Sequence, residues 1–347
     1  MNSQIEVTNS LGFLNERFES VQSLRGIAAL FVLMQHICFI ERGAFGVDLF
    51  FLISGFMMMY STERSTEHFL MKRAIRIIPL YTVMTILSYA ALLIMPGLFE
   101  QTTAAPVYLI KSLLFIPFSM GGVTQPLLRV GWTVNYEVLF YLLFFISMKI
   151  SVKYRAQICS AILVILILAG NFVPEGMEPL SFWTDSILSE FVVGMGLFYM
   201  LRFLYEKHEA GTYGRRKSCL QAGIMLFISG LLFAYEWWSY ESPFLGALPQ
   251  AVRWGIPSAV ILVLTFSAGL RVRMPKALVL LGNMSFSVYL IHYYPMRLLG
   301  KVLSGTKNPD AVQVLITIAA VALTLGCSYI CYLFMEKKLT SYLKKKY

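Results

Sequence analysis

Apolar runs approaching the thickness of a bilayer recur along the whole of this 347-residue chain. No other feature restricts its possible folds as strongly. Inside a bilayer no water reaches the backbone, so each such run must bond its own N–H and C=O groups, as a helix does. The chain therefore reads as an all-α integral membrane protein. Only 14% of its residues are charged, against about a quarter in a soluble domain. Ten spans are expected, near 22–41, 44–60, 77–98, 132–148, 156–172, 186–201, 219–236, 250–270, 277–298 and 311–335. The run "VYLIKSLLFIPF" at 107–118 is too short to cross and reads as interfacial or re-entrant. The first 20 residues are polar and of mixed charge, with no apolar core before a cleavage site, so no cleavable signal peptide is expected.

The basic residues set an orientation. With the N-terminus inside, the cytoplasmic side receives 22 of the 29 Lys and Arg. That bias predicts both termini in the cytoplasm. It also explains the net charge of +10 without nucleic acid, because the cations sit in the gaps between apolar runs. The expected organisation is a cytoplasmic segment at 1–21, a transmembrane domain at 22–335 and a basic cytoplasmic tail at 336–347. The cysteines Cys38, Cys159, Cys219, Cys327 and Cys331 show no CxxC spacing and read as small buried hydrophobes.

Ionisable groups within the bilayer are costly and mark function. Counted along their helices, His36, Asp48, Glu137, Glu190 and His292 all fall in the outer half of the membrane. A shared cavity is the expectation. Solvation accounts equally well for Asp48, and capping of its own helix for Glu190. Two histidines and scattered carboxylates lack the tight spacing of a metal site, so no metal is expected. Eleven residues separate Arg25 from His36. On a regular helix that spacing returns to within about 20° of the starting direction and rises roughly 16 Å. An anionic ligand entering at Arg25 would thus reach its far end to His36. Arg73 and Arg76, three apart in "HFLMKRAIRIIPLY", suit phosphate binding. Ordinary positive-inside anchoring accounts fully for Lys72 beside them and in part for the two arginines, and Pro79 is expected to bend or end that turn.

Six segments in order resemble a known family: "LRGIAALFVLMQH", "GVDLFFLISGFMM", "FLMKRAIRIIPLY", "GWTVNYEVLFYLLF", "SEFVVGMGLF" and "SFSVYLIHYYP". Together they look like the membrane acyltransferase-3 family, in its short exopolysaccharide O-acetyltransferase type. The resemblance covers spans one to four densely, then six and nine. It implies a multi-pass protein of a bacterial cytoplasmic (inner) membrane. The implied activity is transfer of an acyl group, usually acetyl from acetyl-CoA, to a hydroxyl of an exopolysaccharide or other envelope glycan. Carried over by position, Arg25 and His36 form the signature pair, Arg73 and Arg76 hold CoA, and the tryptophan-to-glutamate segment supplies Glu137. Longer relatives append a hydrolase-like domain; none is seen here, so transfer is expected to finish within the membrane domain.

On this reading His36 is the general base, with Glu137 or Asp48 orienting its imidazole or stabilising its protonated form. An acyl-histidine intermediate stays open. His292, Glu190 and Tyr136 are candidates for contact with the acceptor. The rival is a transporter of a small anionic or sugar-like solute, which also needs intramembrane charges and a basic mouth. The absence of repeated halves speaks against it.

Overall fold

The computed structural model describes residues 12–14, 16–98, 103–120, 123–174, 177, 179–209, 215–303 and 310–344. Helices dominate, and the sheet pairing among the described residues is a two-residue ladder of Ser119 with Thr124 and Met120 with Val123. The main helices are α1 (Glu19–Gln35), α2 (Gly46–Arg64), α3 (Phe69–Ile94), α4 (Pro106–Leu113), α5 (Trp132–Ile150) and α6 (Arg155–Gly170). They continue as α7 (Ser189–Glu209), α8 (Arg215–Ser239), α9 (Ile256–Gly269), α10 (Lys276–Asn283), α11 (Ser285–Ile291), α12 (Tyr293–Val302) and α13 (Ala311–Cys331).

Among the described residues, six helices are long and apolar enough to cross a membrane: Phe69–Ile94, Arg129–Ile150, Leu180–Glu209, Ser218–Ser239, Ala251–Gly269 and Ala311–Leu343. They account for six of the ten expected spans. The other four are shorter, less apolar or broken. The run 22–41 is helical only as the 17 residues of α1. The run 44–60 is α2, whose 19 residues carry Asp48, Glu63 and Arg64. The run 156–172 is the 16-residue α6. The run 277–298 is interrupted twice, giving α10, α11 and α12. The second interruption has a chemical cause in Pro295. Its missing N–H leaves the Ile291 carbonyl without its helical partner, and its ring crowds that carbonyl.

Two further expectations change, at Pro79 and at the cysteines. Helix α3 continues past Pro79, so the proline does not end it; a bilayer-spanning helix tolerates proline where neighbours re-satisfy the freed carbonyl. Past the expected boundary at 335 the chain stays helical, through wider i→i+5 turns at Tyr332–Leu339 and a last helix at Thr340–Lys344. Only Cys159 is buried among the cysteines, while Cys219 and Cys327 are exposed on apolar helices. On such a face lipid takes the place of a protein interior.

The chain divides into two compact units. The first comprises Met1–Phe31, Gly43–Glu67 and Ser189–Asn283. Its helices cross where glycines let backbones touch. A Cβ on Gly194 would meet the Leu52 carbonyl and lie 3.1 Å from the Cα of Gly55, and one on Gly55 would meet the Phe191 carbonyl. A Cβ on Gly26 would lie 2.8 Å from the backbone nitrogen of Gly282. Such small-residue crossings are how apolar helices associate without a hydrophobic driving force. An aromatic cluster fills one end: the Phe18 and Phe266 centroids are 4.8 Å apart and Phe13 meets Tyr205 at 5.3 Å. The Tyr60 hydroxyl donates to the Leu14 carbonyl at 3.0 Å, which ties residues just before α1 into the unit.

The second unit comprises Val32–Arg42, His68–Leu188 and Met284–Tyr347. Polar bonds lock its helices in register. Thr133 of α5 donates to the Tyr289 hydroxyl of α11 at 2.7 Å, and that hydroxyl donates to the Val130 carbonyl at 3.0 Å. The Tyr81 hydroxyl of α3 donates to the Ser112 carbonyl of α4 at 3.1 Å. Glu336 accepts from the backbone N–H of Ser287 at 3.0 Å and from its hydroxyl at 2.5 Å. A carboxylate there satisfies an orphan donor at the start of α11 and complements its dipole.

Candidate active site

His36 lies just past the end of α1 and not within a continuing helix. Its backbone N–H turns back to the Leu33 carbonyl at 3.0 Å, an i→i−3 closure that tightens the last turn. The Val32 carbonyl thereby loses its α-helical partner, and the ring of His36 takes its place, with Nδ1 at 2.9 Å from Val32 O. The regular spacing that relates Arg25 to His36 thus holds as far as Gln35, and the final step is taken in a different turn.

His292 sits at the break between α11 and α12 and is fully buried. Its Nδ1 is 3.1 Å from the Val288 carbonyl and its Nε2 is 3.2 Å from Nδ1 of His36. The two rings meet edge to face with centroids 4.8 Å apart, and Tyr293 flanks His36 at 5.6 Å. Two histidines 256 positions apart in the chain are thus joined directly. On Nδ1 of His36 the side-chain partner is His292.

Glu137 accepts a short hydrogen bond from Tyr141, one turn along α5. The Arg73 guanidinium lies 5.9 Å from the Tyr141 ring centroid and 5.7 Å from that of Phe69, and it feels the charges of Glu137 and Arg76. The arginine pair and Glu137 therefore belong to one cluster. Phe69 packs on Tyr141 and Phe144, which sets α3 against the middle of α5. Lys72 is exposed, in keeping with an anchoring role. Tyr136 is buried and stacks on Phe182 with centroids 4.1 Å apart.

Asp48 and Glu190 belong to the first unit, as does Arg25. Asp48 is fully buried and accepts from Gln250 Nε2 at 3.1 Å and 3.4 Å. Glu190 is in the first turn of α7, where an acid suits the dipole, and its carboxylate occupies the space a side chain on Gly255 would need. Glu236 joins them: it is fully buried, accepts from the Ser258 hydroxyl at 2.7 Å, and feels the charges of Asp48 and Glu190. The five groups placed at one depth by counting thus fall into two sets. The histidines and Glu137 lie in the second unit, and two acids lie in the first with a third that sequence reasoning passed over. Glu236 escaped because an acid at the end of an apolar run reads as a boundary. Arg129, not singled out by the sequence reading, also acts electrostatically on His36. Its place directly before "VGWTVNYE" was the available signal.

Chemically, the second unit offers an imidazole backed by another imidazole, a nearby cation, and an arginine pair fit for an anionic ligand. A family model of the acyltransferase domain matches residues 18–333 of the chain. The exopolysaccharide production protein ExoZ of Rhizobium meliloti is 31% identical over 269 residues, covering 75% of this chain and 78% of that protein. No solved structure matches.

Proposed function

This chain belongs to the acyltransferase-3 family, and from that premise we propose that it is a multi-pass membrane O-acyltransferase acting on an exopolysaccharide or another envelope glycan. The donor is acyl-CoA and the group moved is acetyl. The chain crosses a bacterial cytoplasmic membrane ten times with both termini inside, the four shorter or broken segments completing the six long helices. Arg73 and Arg76 hold the CoA phosphates, for which planar guanidinium donors are well suited.

The observation that carries the reading is the direct contact of His36 with His292 in a chain of this family. A histidine held by a neutral partner suits general base catalysis near neutral pH. The O–H bond of the acceptor breaks as its proton moves to Nε2 of His36. The acceptor oxygen bonds the thioester carbonyl carbon, and Arg129 supplies positive charge toward the oxyanion. As the C–S bond breaks, the leaving sulfur takes the proton from Nε2 and departs as the free thiol of CoA. Glu137 offers an acceptor for sugar hydroxyls.

The test compares a deletion strain, the strain restored with the wild-type gene, and one restored with His36→Ala. Base-labile acyl groups on polysaccharide and glycolipid fractions are measured by mass spectrometry. The ester should vanish on deletion and return with the wild-type gene alone. Equal acylation in all three strains, with the protein expressed, would overturn the proposal.

A further inference from the structure

The contacts of the two imidazoles determine where their protons sit. A backbone carbonyl only accepts, so Nδ1 of His292, 3.1 Å from Val288 O, carries a hydrogen. In a neutral ring the other nitrogen is then an acceptor, and Nε2 of His292 presents its lone pair to His36. Nδ1 of His36 consequently faces two acceptors, Val32 O at 2.9 Å and Nε2 of His292 at 3.2 Å. Without a hydrogen on that nitrogen, three lone pairs would converge on one point. With it, both contacts are attractive, and the lone pair of His36 is left on Nε2.

We propose that His292 is the positioning residue of this site: neutral, with its own proton on Nδ1, it accepts the Nδ1–H of His36 so that Nε2 of His36 faces the acceptor as the base. The inference rests on the acyl-transfer reading for the identity of the proton donor, but the tautomers themselves do not. The arrangement differs from a carboxylate–histidine pair in bringing no charge into the bilayer, where a charged group is costly. When Nε2 takes a proton, the Nδ1–H bond to His292 becomes charge-assisted and strengthens. The support thus grows at the moment charge develops. Val32, one turn back on the same segment, fixes the proton; His292, from the break made by Pro295, fixes the ring and answers the charge.

The first test reads the protons directly. The chain has four histidines, so ¹⁵N-histidine labelling of the full-length protein in detergent gives four pairs of ring resonances, assigned by single His→Gln variants. Both His36 and His292 should be protonated at Nδ1 and bare at Nε2. A proton on Nε2 of His36 overturns the proposal whatever the activity. The second test compares His292→Phe, which keeps a ring without an acceptor, with His292→Gln, which keeps an acceptor oxygen. The Phe variant should lower kcat roughly 10²- to 10⁴-fold, as loss of an orienting partner does elsewhere, with KM for acetyl-CoA within about twofold. The Gln variant should regain at least about tenfold. A Phe variant with near wild-type kcat, or a Gln variant no better than Phe, overturns it. Transfer retained by His36→Ala would instead sink the acyl-transfer role of His36 and leave the tautomer result standing.

Discussion

Gly194 and Gly196 lie two residues apart on α7 and make opposite demands on the fold. A Cβ on Gly194 would strike the carbonyl of Leu52, sit 3.0 Å from that residue's carbonyl carbon and 3.1 Å from the Cα of Gly55. All of these are backbone atoms of α2, so no side chain can swing aside. The helices must part by roughly half an ångström or more to restore ordinary contact, and overpacking of this kind costs about 1–3 kcal/mol. A Cβ on Gly196 meets no atom within 4 Å. Both Gly→Ala changes gain the same helix propensity, about 1 kcal/mol. Their difference therefore isolates the steric term: Gly194→Ala should be less stable than Gly196→Ala by about 1–3 kcal/mol. The assay is thermal unfolding of the detergent-purified variants, followed by intrinsic fluorescence at one heating rate because such unfolding is irreversible. Gly196→Ala should melt at or above wild type, and Gly194→Ala below both. Equal melting of the two variants would refute the close-crossing argument, since propensity cancels between them.

Arg73→Ala and Arg76→Ala should each weaken acyl-CoA binding by about 1.5–3 kcal/mol, or roughly 10- to 150-fold, the worth of a charge-assisted hydrogen bond. Calorimetry on purified variants at low and high salt reads this, and unchanged affinity in both leaves them as topology anchors. Cysteines placed at Phe172 and at Lys153, in a cysteine-free background, should label from opposite sides of the membrane, and labelling from one side would break the ten-span topology.

The membrane class, the helical composition and the family were legible in the sequence because each depends on local information. Hydropathy is a sum over a window, and a helix that must bond its own backbone needs no partner to declare itself. The residues worth attention were legible for the same reason: an ionisable group in an apolar run stands out wherever the run goes. Which of them meet was decided elsewhere. His36 joins His292 because α1 closes in a tight turn and Pro295 breaks the helix after Ile291, and Glu137 lies by Arg73 because Phe69 seats α3 against the middle of α5. Asp48, Glu190 and Glu236 gather where glycines let α2 and α7 touch. Counting residues from a helix end assumes a straight helix of known start, and it yields depth but no direction around the axis. Direction is set by where backbones cross and helices break, and those depend on atoms brought together from positions far apart in the chain.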